Sequence, residues 1–187
     1  MSDSATKAPP TGARGRNGPV EFAVVRGPAG AALVAARGGR VVASFLPGPG
    51  PADLIRRLRS RFPGAVEAAE GRVPGAEAMR RWLGGDPAAL VGVPVDLTAA
   101  PPFASRVYRA LRRVPPGATV TYGDLARRAG SPAAARAVGQ AMARNPLAPF
   151  VPCHRVVGSG GDLTGYTAEG GIAMKRRLLE VEARANP

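Results

Sequence analysis

Three short apolar runs near the start of the chain constrain its fold more than any other feature. The runs are VEFAVV, AALVAAR and RVVASFL, and glycine-containing turns separate them. Short apolar segments of this kind, bounded by turn residues, are typical of β-strands. Because connections this short join antiparallel neighbours, the sequence predicts an antiparallel meander that starts at Val20.

Two predicted helices complete the first part of the chain. The segment PADLIRRLRSRF repeats its apolar residues at helical spacing after Pro51, and PGAEAMRRWLGG is a second helical segment that two glycines end. We therefore predict an α/β domain over residues 20–97. TAAPP is interpreted as a linker to a second domain, residues 98–187. Residues 1–19 are polar and rich in Pro and Gly, and we expect a disordered tail there.

The chain is strongly basic. Lys and Arg total 26 against 13 Asp and Glu, which gives a net charge of +13. Residues 102–150 hold eight arginines and one acid, Asp124, so this segment alone carries +7. Such a balance suits a polyanion, either nucleic acid or an anionic membrane surface. High-GC coding, which favours Arg, Ala, Gly and Pro, is an alternative explanation for part of the charge.

Several classes of protein are not expected from this sequence. No apolar run approaches the roughly 18 residues of a transmembrane helix. The N-terminal residues lack the apolar centre of a secretory signal. A single cysteine cannot form an internal disulfide, so no oxidising compartment is implied. We expect a cytoplasmic protein without a membrane partner.

The second part of the chain contains a predicted helix-turn-helix after the amphipathic helix PFASRVYRALRRV. In TYGDLARRAG, Thr121 and Asp124 have the spacing of a capping box, and Gly130 is a helix stop. The segment SPAAARAVGQAMAR follows, with Ser131 as the expected N-cap and Pro132 at the first helical position. Two short helices joined by a glycine-containing turn make a helix-turn-helix.

The second of these helices has unusually small side chains on its outward face. A helix that reads the major groove presents several long polar side chains, and this one has too few. Small residues with one projecting arginine instead allow close approach to a narrow surface. A short alanine-rich core helix with a solvated arginine is the alternative. The predicted inward face comprises Ala135, Val138 and Met142, and the outward face Arg136, Gly139, Gln140 and Ala143.

The only cysteine and the only histidine of the chain are adjacent, Cys153 and His154, in PCHRVV. A free cysteine is often only a small buried hydrophobe. Here the neighbouring imidazole could stabilise a nucleophilic thiolate, Arg155 adds positive charge, and Pro152 fixes the backbone. In a regular strand adjacent side chains point to opposite faces, so the chain must bend here or a water must relay the proton.

A carboxylate on the C-terminal helix is a candidate partner for the histidine. Glu182 shares a helix face with Leu178 and Leu179, and a carboxylate on an apolar face needs a buried partner. It could orient His154 as a base. The alternative is that Glu182 frays with the end of the helix. One Cys and one His fall short of a zinc site, and no nucleotide-binding motif is present, so we expect no metal.

PCHRVV, with AARAVGQAMARNP before it and GYTAEGGIAMKRRLLEVE after it, closely resembles the O6-alkylguanine-DNA alkyltransferases from about Phe103 to Glu182. The resemblance implies an antiparallel, ribonuclease-H-like α/β domain followed by a mainly helical domain with a helix-turn-helix of winged-helix type. It also implies minor-groove binding, extrusion of O6-alkylguanine from duplex DNA, and irreversible alkyl transfer to a cysteine in a single turnover.

The resemblance also implies roles for particular residues. Cys153 would accept the alkyl group, His154 would deprotonate it through a water, and Glu182 would orient His154. Asn145 would hold the active-site turn. Arg136 would replace the extruded base, with the remaining DNA contacts from Ala135, Gly139, Gln140 and Tyr122. The base pocket would be lined by Tyr122, Pro149, Val156, Tyr166 and Thr167.

The implied partner is double-stranded DNA that contains O6-alkylguanine. No cofactor is needed, because the lesion itself is the alkyl donor. A monomer is expected, and cooperative binding along DNA stays open. Two other functions compete with this one: a non-catalytic DNA-binding module with a structural Cys-His pair, and a cysteine hydrolase that uses Cys153, His154 and Glu182. The hydrolase would leave Arg136 and the positive charge without a role.

Overall fold

The computed structural model describes residues 18–48, 50–168 and 170–184. Most of the tail that we predict to be disordered, residues 1–17, lies outside these ranges. Within them no helix is long and apolar enough to cross a membrane.

The predicted meander is confirmed and forms the first three strands of a four-stranded sheet. The strands are β1 Glu21–Gly27, β2 Gly30–Arg37, β3 Arg40–Phe45 and β4 Val66–Glu67. Strands β1 and β2 are antiparallel, from the pair Glu21–Ala36 to the pair Gly27–Gly30, and β2 pairs antiparallel with β3. The two-residue strand β4 adds in parallel to β1, so the order is β3-β2-β1-β4.

The two predicted helices of this part are also confirmed, and they cover opposite faces of the sheet. Helix α1 (Pro51–Arg61) buries Leu58 in a cluster with Phe22 of β1. Helix α2 (Ala76–Leu83) buries Met79 in the larger core with Val25. Successive residues of a strand face opposite sides of the sheet, so β1 packs against both helices, with Phe22 on one face and Val25 on the other.

The second part of the chain is mainly helical. Its elements are α3 Pro102–Leu111, β5 Val120–Thr121, α4 Tyr122–Arg128, α5 Ala135–Ala143, β6 Val156–Val157 and α6 Gly171–Arg184. Helices α3, α4 and α5 pack against one another, and their buried faces join one core with α2. A short parallel pair, β5 and β6, aligns Val120 with Val156.

Thr121 caps α4 as its spacing to Asp124 predicts. The Thr121 side chain accepts a hydrogen bond from the Asp124 backbone N–H at 3.0 Å, which satisfies one free donor of the first turn. The second bond differs from the usual capping box, because the Asp124 carboxylate accepts from the Thr121 hydroxyl at 2.6 Å and not from its backbone.

The predicted start of α5 is wrong. The helix begins at Ala135, and Ser131 is not its N-cap. Ser131 is used to close α4: its N–H donates to the Ala126 carbonyl at 2.9 Å, and Gly130 has a φ of 75°. This is the arrangement of a Schellman motif, in which a left-handed glycine ends the helix. A separate turn, closed by the Ala134 N–H, then leads into α5.

The outer edge of β3 joins the sheet to the second half of the chain. The Val41 N–H donates to the Pro94 carbonyl at 2.9 Å, and the Ser44 N–H donates to the Pro146 carbonyl at 3.0 Å. The Ser44 hydroxyl also donates to the Ala148 carbonyl at 2.8 Å. Residues 146–148 lead directly to the segment that contains Cys153. The hydrogen bonds from Ser44 therefore attach the start of that segment to the edge of the sheet.

Candidate active site

Cys153 lies in a tight turn and not in a strand. Cys153–Arg155 form a single 3-10 turn, in which the Arg155 N–H donates to the Pro152 carbonyl at 3.0 Å. The bend that strand geometry requires at this point is therefore present. Cys153 is 8% exposed and His154 only 1%. The extended backbone resumes in β6, immediately after Arg155.

The buried carboxylate of Glu182 is the centre of a hydrogen-bond network. His154 Nε2 lies 2.9 Å from Glu182 Oε1. Arg155 Nη2 donates to the same oxygen at 2.7 Å, and the Gly117 backbone N–H donates to Oε2 at 3.1 Å. Glu182 is 1% exposed. The alternative that this residue frays at the helix end is wrong.

The network fixes the charge of each group. Burial alone would raise the pKa of the Glu182 carboxyl, but hydrogen bonds from His154 and Arg155 lower it to about 2. The carboxylate is therefore an anion that neutralises the buried Arg155 guanidinium. Burial lowers the pKa of His154, against the opposing effect of Glu182, so the ring is neutral at neutral pH.

The hydrogen bond to Glu182 also selects the tautomer of His154. An ionised carboxylate can only accept, so Nε2 must carry the hydrogen and Nδ1 must carry the lone pair. Nδ1 is buried and has no hydrogen-bond partner among the described residues. The site thus offers one unoccupied proton acceptor next to Cys153 in the chain.

Asn145 braces the turn before the thiol. Its side-chain Nδ2 donates to the Val151 carbonyl at 2.8 Å, and its Oδ1 accepts from the Leu147 N–H at 3.0 Å. Burial raises the pKa of the Cys153 thiol, while the Asn145 side chain and the positive charge of Lys175 oppose that rise. The resting residue is therefore a thiol, with groups nearby that favour the thiolate.

A loop that contains Thr164 and Gly165 is held by hydrogen bonds to α4 and α6. The Thr164 carbonyl accepts from the Tyr122 hydroxyl at 3.2 Å and from Lys175 Nζ at 2.7 Å. Lys175 is fully buried. Gly165 has a φ of +58°, and a Cβ there would lie 3.0 Å from the Tyr122 hydroxyl, so a side chain fits poorly at this position.

The remaining residues predicted to line the pocket lie in three places. Tyr166 and Thr167 follow Gly165; the Tyr166 hydroxyl is buried without a hydrogen-bond partner in the described residues, and Thr167 Oγ1 donates to the Ala143 carbonyl at 3.3 Å. Val156 is fully buried in β6. Pro149 lines a small crevice together with Arg155.

Helix α5 presents an exposed surface next to this loop. Arg136, Gln140 and Ala143 are exposed, whereas Val138 and Met142 are buried. Ala135 and Gly139 are half-buried, and a Cβ at Gly139 would lie 3.9 Å from the Tyr122 ring. Tyr122 therefore lies between Gly139 of α5 and the loop that contains Thr164.

Two parts of the site are not predicted from the sequence. The sequence indicates Arg155 only as positive charge near the thiol, whereas the structure pairs its guanidinium with Glu182; no sequence pattern shows where the third side chain of a 3-10 turn points. The second part is Lys175. That residue precedes Glu182 by seven positions, or two helical turns, so the shared helix face could have indicated a second buried charge.

Fold and site together define a class of protein: an α/β sheet joined to a helical part, in which a helix-turn-helix adjoins a buried thiol, imidazole and carboxylate. Residues 102–184 match the family model described as 6-O-methylguanine DNA methyltransferase, DNA binding domain. The inducible methylated-DNA–protein-cysteine methyltransferase of Bacillus subtilis is 42% identical over 136 residues, which are 72% of this chain and 74% of that protein. The chain belongs to the O6-methylguanine-DNA methyltransferase family.

Other similar proteins and solved structures are methyltransferases of the same family. A methylated-DNA–protein-cysteine methyltransferase of Mycobacterium tuberculosis is 53% identical over 85 residues, 46% of this chain; the alignment spans about half the length of that relative, 50%. The crystal structure of the Mycobacterium tuberculosis O6-methylguanine methyltransferase has a TM-score of 0.69 at 33% identity and covers 90% of this chain and 95% of its own. Its complex with DNA has a TM-score of 0.66 at 32% identity, with 90% and 96% covered.

Proposed function

We propose that this protein repairs DNA by transferring the alkyl group of O6-alkylguanine to Cys153, once per molecule. The observation that carries the proposal is the buried thiol beside an imidazole whose free nitrogen is held as a proton acceptor by Glu182. Membership in the methyltransferase family supports the substrate class.

The proposed reaction is a displacement at the alkyl carbon. The Cys153 sulfur attacks that carbon, an S–C bond forms, and the C–O6 bond breaks with its electron pair leaving on guanine. The thiol proton passes through a water to Nδ1 of His154. The departing guanine takes up one proton from water, and the imidazolium of His154 releases its proton to water, so one proton is lost by the thiol and one is gained by guanine. A thiolate is a strong nucleophile for such a step. The resulting thioether is stable, which makes the reaction a single turnover.

Each neighbouring group has a proposed part in this step. Glu182 keeps His154 in the tautomer that accepts at Nδ1, and Arg155 keeps Glu182 ionised. Asn145 holds the turn before Cys153. Lys175 positions the loop through the Thr164 carbonyl and favours the thiolate by its charge. The Tyr122 hydroxyl, which reaches the same carbonyl, could turn to donate to the departing guanine.

DNA is the proposed partner, bound through α5 in the minor groove. The small residues Ala135 and Gly139 allow the helix to approach closely, and Arg136 is exposed and long enough to replace an extruded base. Gln140 adds a polar contact. Tyr122 assists extrusion, and Pro149, Val156, Tyr166 and Thr167 complete the proposed pocket.

The finer descriptions of the fold stay predictions as well. These are the ribonuclease-H-like character of the sheet, the winged-helix type of the helix-turn-helix, and the domain boundary between residues 97 and 98. A monomer and a cytoplasmic location are proposed on the same basis.

The deciding experiment is the intact mass of the protein after incubation with duplex DNA that contains O6-methylguanine. We expect one added methyl group, located on Cys153 by peptide mapping and absent in Cys153→Ala. An unchanged mass at full DNA occupancy would favour the non-catalytic DNA-binding module. More than one lesion repaired per molecule would contradict the single turnover.

A second experiment tests the role of Arg136. In Arg136→Ala we expect repair of duplex DNA to slow far more than reaction with the free base O6-benzylguanine, because only the duplex requires extrusion of a base. Arg113→Ala, which removes another exposed arginine of the helical part, is the matched control. Equal losses of Arg136→Ala on both substrates would remove the proposed role.

A further inference from the structure

A basic cleft lies beside α5 and is lined from both halves of the chain. Its volume is about 550 Å³. Arg37, at the end of β2, and Arg61, at the end of α1, contribute from the first half; Gln140 and Arg144 contribute from α5 and its C-terminal end. We call this the arginine cleft. No part of the proposed alkyl transfer uses it.

The charge of the arginine cleft favours an anion. Three guanidinium groups and one carboxylate, that of Asp96, belong to its lining. Arg61 and Arg144 are exposed, and neither belongs to an ion pair with another described residue. Exposed guanidinium groups without a carboxylate partner are suited to bind phosphate, which they can hold with two parallel hydrogen bonds.

The arginine cleft continues the outward face of α5. Arg136, Gln140 and Arg144 are spaced by four residues, so they follow one stripe along the helix. At about 1.5 Å per residue, Arg144 lies about 12 Å along the axis from Arg136. Gln140 belongs both to the proposed DNA surface and to the lining of the cleft.

The two flanks of α5 differ. At about 100° per residue, Gly139 and Gln140 fall on opposite sides of Arg136. Gly139 faces Tyr122, so that flank leads to the thiol. The Gln140 flank leads to the arginine cleft. A helix with its side chains is about 10 Å wide, and the minor groove only about 6 Å. A helix laid against that groove therefore has a phosphate backbone near each flank.

We infer that the arginine cleft binds a backbone phosphate of the strand opposite the alkylated guanine. The inference rests on the proposed function, because it assumes α5 in the minor groove with the lesion strand on the Tyr122 side. It gives the first half of the chain a part in DNA binding through Arg37 and Arg61, while Arg144 contributes from the second half.

Salt dependence of DNA binding tests the inference. The slope of log Kobs against log[salt] is negative, and its magnitude decreases by about 0.9 for each phosphate that the protein no longer neutralises. We expect Arg61→Ala/Arg144→Ala to reduce the slope by about that amount, so that the affinity ratio between 50 and 200 mM salt shrinks by about 3.5-fold. Arg59→Ala removes an exposed arginine of the same helix α1 outside the cleft and should keep the wild-type slope.

Charge-preserving variants and thermal melts exclude a folding defect. Arg61→Lys/Arg144→Lys should retain most of the slope, because a lysine still binds a phosphate as a point charge. Equal slopes for the wild-type protein and Arg61→Ala/Arg144→Ala, at equal melting temperature, would overturn the inference.

Neutral phosphates identify the strand. We place a single neutral methylphosphonate at successive positions of the strand opposite the guanine and measure the affinity of each duplex. At one position the substitution should weaken binding of the wild-type protein but leave binding of Arg61→Ala/Arg144→Ala unchanged. Sensitivity confined to the lesion strand would overturn the assignment. A failure of the inference can be told apart from a failure of the proposed alkyl transfer. Wild-type protein that binds DNA with the expected salt dependence but acquires no methyl group would refute alkyl transfer and leave the phosphate contact of the arginine cleft intact.

Discussion

At the scale of single residues, Glu182 has the largest effect on the site. Its carboxylate accepts hydrogen bonds from His154, Arg155 and the Gly117 backbone in a region that water does not reach. Each donor depends on the anion: without it, Arg155 would be a buried cation without a counter-charge. Breaking a buried ion pair on one side is far more costly than removing both partners.

We expect Glu182→Gln to lower the free energy of unfolding by about 3 to 5 kcal/mol, because it leaves Arg155 buried and unpaired. It should also slow alkylation of Cys153, since an amide no longer fixes the tautomer of His154. Urea unfolding and the rate with free O6-benzylguanine measure the two effects. Glu180→Gln, an exposed change on the same helix, is the control. Similar urea midpoints for the two variants would contradict the role of the anion.

The pKa values of His154 and Glu182 predict acid lability. The native pKa of His154 is below its ordinary 6.5, so below that pH the unfolded chain binds a proton that the folded one refuses. Stability should therefore fall with decreasing pH, by up to about 1.4 kcal/mol per unit. A further loss follows between pH 4.5 and about 2, where unfolded Glu182 is protonated first.

Urea unfolding at pH 7.5 and 5.5 measures the first of these losses. The variant His154→Gln should be nearly insensitive to pH over this interval, because it lacks the only histidine of the chain. A wild-type free energy of unfolding that stays constant from pH 7.5 to 5.5 would show that His154 is not buried in its neutral form.

At the scale of elements, the helix-turn-helix depends on how α4 begins and ends. Thr121 caps its first turn, and Gly130 and Ser131 close its last turn. Both ends fix the orientation of α4, which carries Tyr122 at its first position. The place along the chain where α4 begins, and with it the position of Tyr122, therefore depends on local backbone interactions.

Thr121→Ala should lower the free energy of unfolding by about 1 kcal/mol, because it removes the acceptor for the Asp124 N–H. Thr119→Ala changes an exposed threonine two residues earlier and should have almost no effect. Thermal or urea unfolding compares the two variants. A smaller loss for Thr121→Ala than for Thr119→Ala would mean that the cap contributes nothing measurable.

At the scale of the whole molecule, β3 connects the two halves. The backbone of Val41 is hydrogen-bonded to Pro94. Ser44 is hydrogen-bonded to Pro146 through its backbone N–H and to Ala148 through its hydroxyl. The segment before Cys153 is therefore held by the sheet as well as by Asn145. In this arrangement the first half is a support for the site and, through Arg37 and Arg61, a wall of the arginine cleft.

Ser44→Ala tests this connection. The serine is 4% exposed, and its loss leaves the Ala148 carbonyl without the hydroxyl that donates to it. We expect a loss of about 1 to 3 kcal/mol of unfolding free energy, the cost of an unsatisfied buried acceptor. Ser60→Ala, an exposed change on α1, is the control. Hydrogen exchange of Leu147 and Val151 should also increase in Ser44→Ala; unchanged protection there would argue against support by the sheet.

The local elements could be predicted from sequence because they depend on near neighbours. Alternating apolar runs and glycine turns determine the meander, and helical spacing determines α1 to α3. The cap at Thr121 depends on a residue only three positions away. The predicted start of α5 is wrong because Ser131 fits two local motifs, and only the packed structure shows that it closes α4. The two-residue strand β4 has no pattern of its own and exists only because β1 offers an open edge.

The sequence by itself also determined the reactive groups: one thiol, one imidazole, and the motif that carries them. The tertiary structure decided how they act. Glu182 is 28 residues from His154, and Gly117 is 65 from Glu182, so no local rule relates them. Burial then fixes the protonation states, because the free energy of a charge depends on the partners that the fold gathers around it. The arginine cleft has the same origin, since its arginines come from β2, α1 and the end of α5.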